Sequence, residues 1–181
     1  MMRRRRGEAD APPAAAAGPA AAGATAGTRY RMVENLVSFG DDFFIENDQG
    51  QRAFKVDGKA VRVRDTLVFR DMQGHEACKI QERVARVRDA MEIEGPDGRR
   101  LAMVHKAMIT PVRERYTVTV GDGPDLEIQG NLLDHEYRIG TVATVSKKWF
   151  RVRDSYGIEI APGQHDVVIL AATVCIDQMA H

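Results

Sequence analysis

From Tyr30 onward, apolar and polar side chains alternate in short runs, and the runs recur at a regular interval. Six acidic residues mark the repeat: Asp41, Asp65, Asp89, Glu114, Asp134 and Asp154, separated by 24, 24, 25, 20 and 20 positions. An apolar residue stands two positions before each mark, from Phe39 and Val63 through Leu132 and Val152. Two and four positions after the marks stand Phe43/Ile45, Leu67/Phe69, Met91/Ile93, Tyr116/Val118 and Tyr156/Ile158. The fifth unit is displaced by one, to Tyr137/Ile139, which predicts an extra residue in a bulge or turn there. A period of two is the signature of a strand that buries one face.

Each of the longer units also carries a turn. Asn47–Gly50, Asp71–Gly74, Gly95–Gly98 and Gly121–Pro124 supply the Gly and Asx residues that tight hairpins require. A second alternating run follows each turn, as in Arg52–Val56, Glu76–Ile80 and Leu101–Val104. With Tyr30–Leu36 as the first strand, the count is about twelve antiparallel strands in hairpin succession. A sheet of that size is relieved of its exposed edges by closing into a barrel. Leu101–Lys106 aligns with Val142–Lys147, as expected of duplicated hairpins.

The period changes near the carboxyl end. Val167–Ile176 is apolar at every position except Thr173, with Pro162-Gly163 before it and Asp166 as an expected N-cap. Length and Ala171-Ala172 favour a helix over about 166–180. Apolar residues on its whole circumference require burial on all sides. Such a helix is about 22 Å long, short of the roughly 30 Å of a bilayer core, and Asp177 and Gln178 interrupt it. The expectation is therefore a helix enclosed by the barrel, with no transmembrane span.

Composition adds a boundary. Of the first 28 residues, eighteen are Ala, Gly or Pro, a content too poor in large apolar groups to offset ordering entropy, so 1–28 reads as a disordered tail and 29–181 as one domain. The chain's zero net charge is the sum of +2 on the tail and −2 on the remainder, against the basic excess of a nucleic-acid binder. Cys78 and Cys175 form no CxxC, and a reducing, cytoplasmic setting is the expectation.

Several strings carry a family resemblance: Leu133-Asp-His-Glu-Tyr137, Ala143-Thr-Val-Ser-Lys-Lys-Trp-Phe150, Tyr156-Gly157 and Ile176-Asp-Gln-Met179. Phe39–Phe43 and Phe54–Lys59 fit as well. Together they resemble the LURP-one-related family over about 30–181. The resemblance implies a twelve-stranded β-barrel around a hydrophobic C-terminal helix, a fold shared with the Tubby C-terminal domain and phospholipid scramblases. Plant members of the family are linked to pathogen defence.

Catalytic and metal motifs are missing from the sequence. The five histidines form no HxH, HxxxH or HExxH, and no GxSxG, P-loop or GxGxxG occurs, so neither enzyme chemistry nor a cofactor is expected. His135 lies between Asp134 and Glu136 and reads as a turn residue. Basic residues gather in three places: Lys147, Lys148, Arg151 and Arg153 beside Trp149; Lys106, Arg113 and Arg115; and Arg83, Arg86 and Arg88. Two uses are open to them. Outward Arg side chains pair with acids across strands, or lysines beside an aromatic hold a lipid phosphate. The second use makes Lys147, Lys148, Arg151, Arg153 and Trp149 the candidate site. Its partner would be an anionic phospholipid or membrane surface, and the protein membrane-peripheral. Tubby's basic phosphoinositide pocket supports this by fold analogy alone. The alternative is a protein-interaction or stress-response scaffold. In a regular strand, Trp149 and Phe150 would point to opposite faces, leaving one exposed or under a loop.

Overall fold

The first strand, β1 (Thr28–Val33), pairs with β2 (Phe43–Asn47) on one side and with β12 (Ser155–Ile160) on the other, so the sheet has no free edge. Between them run β3 (Arg52–Val61), β4 (Thr66–Asp71), β5 (Glu76–Ala85), β6 (Arg88–Glu94), β7 (Arg100–Thr110), β8 (Arg113–Val120), β9 (Asp125–Asn131), β10 (Glu136–Ile139) and β11 (Ala143–Ser146). Each pairs antiparallel with the next, closing a twelve-stranded barrel. The computed structural model describes residues 27–33, 42–61, 66–85, 88–110, 113–149 and 155–180. Residues 1–26 of the expected tail and five of the repeat's anchor points (Asp41, Arg62–Asp65, Arg86-Val87, Pro111-Val112 and Arg151–Asp154) lie outside them, while Thr28, placed in the tail on composition, already belongs to β1.

The hairpins turn where the polar tetrads stand. Asn47 Oδ1 accepts the Gln49 and Gln51 N–H groups at 3.0 and 2.9 Å, and Asp71 Oδ1 does the same for Gln73 and His75. Gly50 and Gly74, at φ 75° and 90°, complete those turns in the left-handed region that glycine enters without strain.

Inward positions of the strands, among them Ile45, Val56, Leu67, Phe69, Ile80, Ile93, Val118, Ile139 and Ile158, converge on one helix, α1 (Asp166–Ala180). Ten consecutive helical residues, Val168 through Asp177, are buried, which only an element enclosed on every side can achieve. Cys78 on β5 and Cys175 on the helix are both buried free thiols. Burial pushes the Cys78 thiol up to about 12, with a smaller contribution from Glu76.

Both ends of the helix are tied to the wall. Ile169 N–H donates to His165 O at 3.2 Å, so the helix has the expected extent but its N-cap is His165, one place before the expected Asp166. The Asp166 carboxylate is otherwise engaged, accepting the Tyr30 hydroxyl at 2.7 Å. At the far end, the Met179 carbonyl accepts Lys106 Nζ at 2.9 Å and the Tyr116 hydroxyl at 3.2 Å. A cation there complements the negative end of the helix dipole. Lys106 thus points into the barrel, like Ala102 and Val104 on its strand, and is not part of an outward basic cluster.

Candidate functional site

The strand-to-strand connection after β9 holds the extra residue of the fifth unit. Residues 132–135 form the turn, and His135, at φ 50°, is the one non-glycine among the described residues with positive φ. That conformation costs on the order of 1–3 kcal/mol and persists only when the surroundings hold it. Here the imidazole is 4% exposed, stacks on Tyr156 at 4.3 Å between centroids, and lies 3.5 Å from Asp177 Oδ1 through Nε2. The Tyr156 hydroxyl donates to the other Asp177 oxygen. A turn residue, a strand residue and a helix residue therefore lock together behind the rim.

Tyr137 reaches the same region differently. Burial, with the Asp177 charge nearby, pushes its phenol well above the ordinary range. Its hydroxyl is buried with no hydrogen-bond partner. Leaving a buried hydroxyl unsatisfied costs about 1–3 kcal/mol, whereas a hydrogen bond to a carboxylate stabilises by about 1.5–3 kcal/mol. Tyr137→Phe is accordingly expected to hold or raise stability by about 1 kcal/mol, and Tyr156→Phe to lower it by about 2 kcal/mol. Urea melts of the two variants, compared at equal slope, check the contrast.

Next in the chain, Glu136 shapes the candidate site. Its Oε1 accepts the Ser146 hydroxyl at 2.9 Å and the Lys147 N–H at 3.1 Å, and its Oε2 takes Lys148 Nζ at 3.3 Å. Burial acts to raise the Glu136 pKa, but the bonds from Ser146 and Lys148, the Lys148 charge and the Lys147 N–H hold it below the usual glutamate value. Ser146 Oγ also accepts the Lys148 N–H at 3.2 Å. Capped in this way, Lys147–Trp149 leave the strand as one turn of 3₁₀ helix. The strand ends before Trp149 because the capping hydroxyl and carboxylate offer the backbone a competing set of bonds.

This turn packs on the outside of β12. Lys148 has a side chain 81% exposed, and Trp149 is 36% exposed, with the Arg29 guanidinium 5.7 Å from its ring centroid. Of the five candidate residues, Lys147, Lys148 and Trp149 are thus brought together. Arg151 and Arg153 lie outside the described residues, as does Phe150.

Elsewhere several outward basic side chains pair with acids. Arg29 binds Glu159, Arg31 binds Glu46, Arg83 binds Glu92, and Arg115 lies 3.4 Å from Glu127. A groove of about 420 Å³ runs past Gly27, Arg138, Thr144, Glu159 and Pro162. Arg138 and Glu159 carry opposite charges and its other walls are small side chains and backbone, so it concentrates no positive potential. Sequence reasoning missed the roles of Glu136, Asp177 and Tyr156. The signal was present in three of the family strings, whose Glu136, Tyr156 and Asp177 the fold brings toward one end of the barrel.

A closed antiparallel barrel around one apolar helix, with a lysine-bearing turn at its rim, defines a helix-filled barrel domain. The family model described as LURP-one-related matches residues 28–177, and the chain belongs to that family. It is 26% identical over 154 residues to the uncharacterized protein YxjI of Bacillus subtilis (strain 168), covering 83% of this chain and 92% of that one. It is also similar to the X-ray structure of an Arabidopsis thaliana protein, with a TM-score of 0.63 and 17% identity over 87% of this chain and 94% of the other. At that identity the likeness is one of fold. Among the described residues, no helix is long and apolar enough to cross a membrane.

Proposed function

We propose that this protein is a non-enzymatic binding module whose Lys147–Trp149 turn recognises anionic phospholipid head groups at a membrane surface. One observation carries the reading: two lysines and a part-exposed tryptophan stand side by side on a turn that Ser146 and Glu136 hold fixed. Each Lys near an anionic membrane surface is worth about 1 kcal/mol, and an indole suits the head-group layer. Arg151 and Arg153 follow in the sequence and would add to the same charge. The reading as a non-enzyme is supported by the burial of the acid–histidine pair: His135 and Asp177 are 4% and 3% exposed, out of reach of a substrate. The paired state of Arg29, Arg31, Arg83 and Arg115 favours a second reading, a protein-interaction scaffold with no small ligand.

Liposome flotation tests the first reading. At low salt the protein is expected to float with anionic and phosphoinositide vesicles and to stay behind with neutral ones. Replacing Lys147 and Lys148 with Ala should weaken binding by about tenfold or more. Absence of flotation with every vesicle at low salt discards the lipid reading in favour of the scaffold.

A further inference from the structure

Three large apolar side chains are conspicuously exposed among the described residues: Met72 at 45%, Leu133 at 65% and Trp149 at 36%. Single exposed apolar residues are ordinary and call for no explanation. Two of these, however, share one rim. Met72 sits in the turn between β4 and β5, at the end where the helix starts, whereas Leu133 and Trp149 lie at the end where the helix finishes. They come from different segments, and Glu136 joins those segments. It stands three residues after Leu133 and binds Ser146, Lys147 and Lys148 directly ahead of Trp149.

The turn around Leu133 is fixed on every side. Leu132 packs against the core, and His135 is buried in the left-handed conformation. Asp134 is bound to Asn131 twice, through its N–H at 3.2 Å and its carboxylate at 2.6 Å. Leu133 is thereby presented outward, and folding gives it no apolar surface to cover. The charges described on this rim nearly cancel: Lys147 and Lys148 stand against Asp134 and Glu136, and Lys148 is already 3.3 Å from a Glu136 oxygen. Coulomb attraction from these groups alone is weak and screened by salt. Adhesion by this group of residues therefore draws on the apolar side chains as well.

We infer that Leu133 and Trp149 form a two-point apolar anchor that enters the head-group layer of an anionic membrane, with Lys147 and Lys148 beside it on the lipid phosphates. The inference deepens the head-group reading above and rests on it. A soluble phosphate would satisfy the lysines but has no use for an exposed leucine. A membrane accounts for both, since tryptophan and leucine gain by leaving water at the interface.

The chain supplies its own reporter, because Trp149 is the single tryptophan among 181 residues. Full-length protein is titrated with phosphatidylcholine vesicles with and without phosphatidylserine, with brominated acyl chains as quenchers, and separately with inositol hexakisphosphate. The anchor predicts a blue shift and bromine quenching of Trp149 on phosphatidylserine vesicles, and no blue shift with the soluble phosphate. Leu133→Ser should weaken vesicle binding by about tenfold and leave the thermal melt unchanged, the side chain being exposed. Binding by flotation with an unshifted Trp149, or with Leu133→Ser binding as tightly as wild type, overturns the anchor and leaves head-group recognition standing. A blue shift produced by the soluble phosphate alone also overturns it. No flotation with any vesicle overturns both.

Discussion

Leu170→Asp is expected to abolish the cooperative thermal transition. Leu170 is 0% exposed in the second turn of a helix that is buried over ten consecutive residues. Losing the leucine forfeits about 1.5–3 kcal/mol of burial. The carboxylate must then be buried ionised, at a cost of several kcal/mol, or protonated through a shift of about 3–5 pKa units, equivalent to roughly 4–7 kcal/mol. The total approaches the roughly 5–15 kcal/mol that stabilises an ordinary domain. Leu170→Met, nearly equal in volume, should cost under about 1.5 kcal/mol and retain the transition. Circular dichroism melts of the pair isolate the charge from the change of shape. A cooperative melt of wild-type midpoint in the Asp variant would contradict enclosure of the helix.

Gly130→Ala is expected to destabilise by about 2–5 kcal/mol, the sum of backbone strain and overpacking. Gly130 has φ 133°, a region closed to side-chain-bearing residues, and sits opposite Tyr137 in the β9–β10 pair. A β-carbon there would press on the Glu136 carbonyl oxygen and lie 2.6 Å from Tyr137 Cα, so backbone on both strands would have to move. Gly50→Ala is the internal control: its φ is 75° but nothing stands within 4 Å of the added carbon, so strain alone should remain. Chemical denaturation of the two variants compares them. Equal losses would mean that the close approach of β9 to β10 contributes nothing.

Much of the architecture was legible in the residues because both of its patterns are local. Two-residue alternation between Gly- and Asx-bearing tetrads marks strands and hairpins whatever the rest of the chain does. The run from Val167 to Ile176, apolar at every position but Thr173, can only be a buried element. The displaced register at Tyr137 likewise announced the longer turn that holds His135. The site was less legible because its contacts are not local. Nothing around Glu136 in the sequence says that its carboxylate will cap Lys147, and nothing around Asp177 says that Tyr156 and His135 will meet it. Lys106 shows the limit most plainly. It aligns with Lys147 in the repeat, yet one donates to the helix end inside the barrel while the other starts an exterior turn. Their strand parity is the same; they part because β7 runs on to Thr110 whereas β11 ends at Ser146, where Ser146 and Glu136 cap the turn that Lys147 begins.

The pairing of β1 with β12 bears on the order in which this molecule can be made. Tyr30 lies against Ile158, so the seam joins β1 to β12, and the helix that fills the interior follows β12. A polypeptide emerging from the ribosome has neither the closing strand nor the plug until residues 155–180 have been made. Until then its eleven earlier strands must wait with their apolar faces uncovered. Closure and the two tethers at Tyr30 and Lys106 join residues far apart in the sequence, which makes folding slow. A nascent chain halted before residue 166 would offer chaperones an open, unplugged sheet.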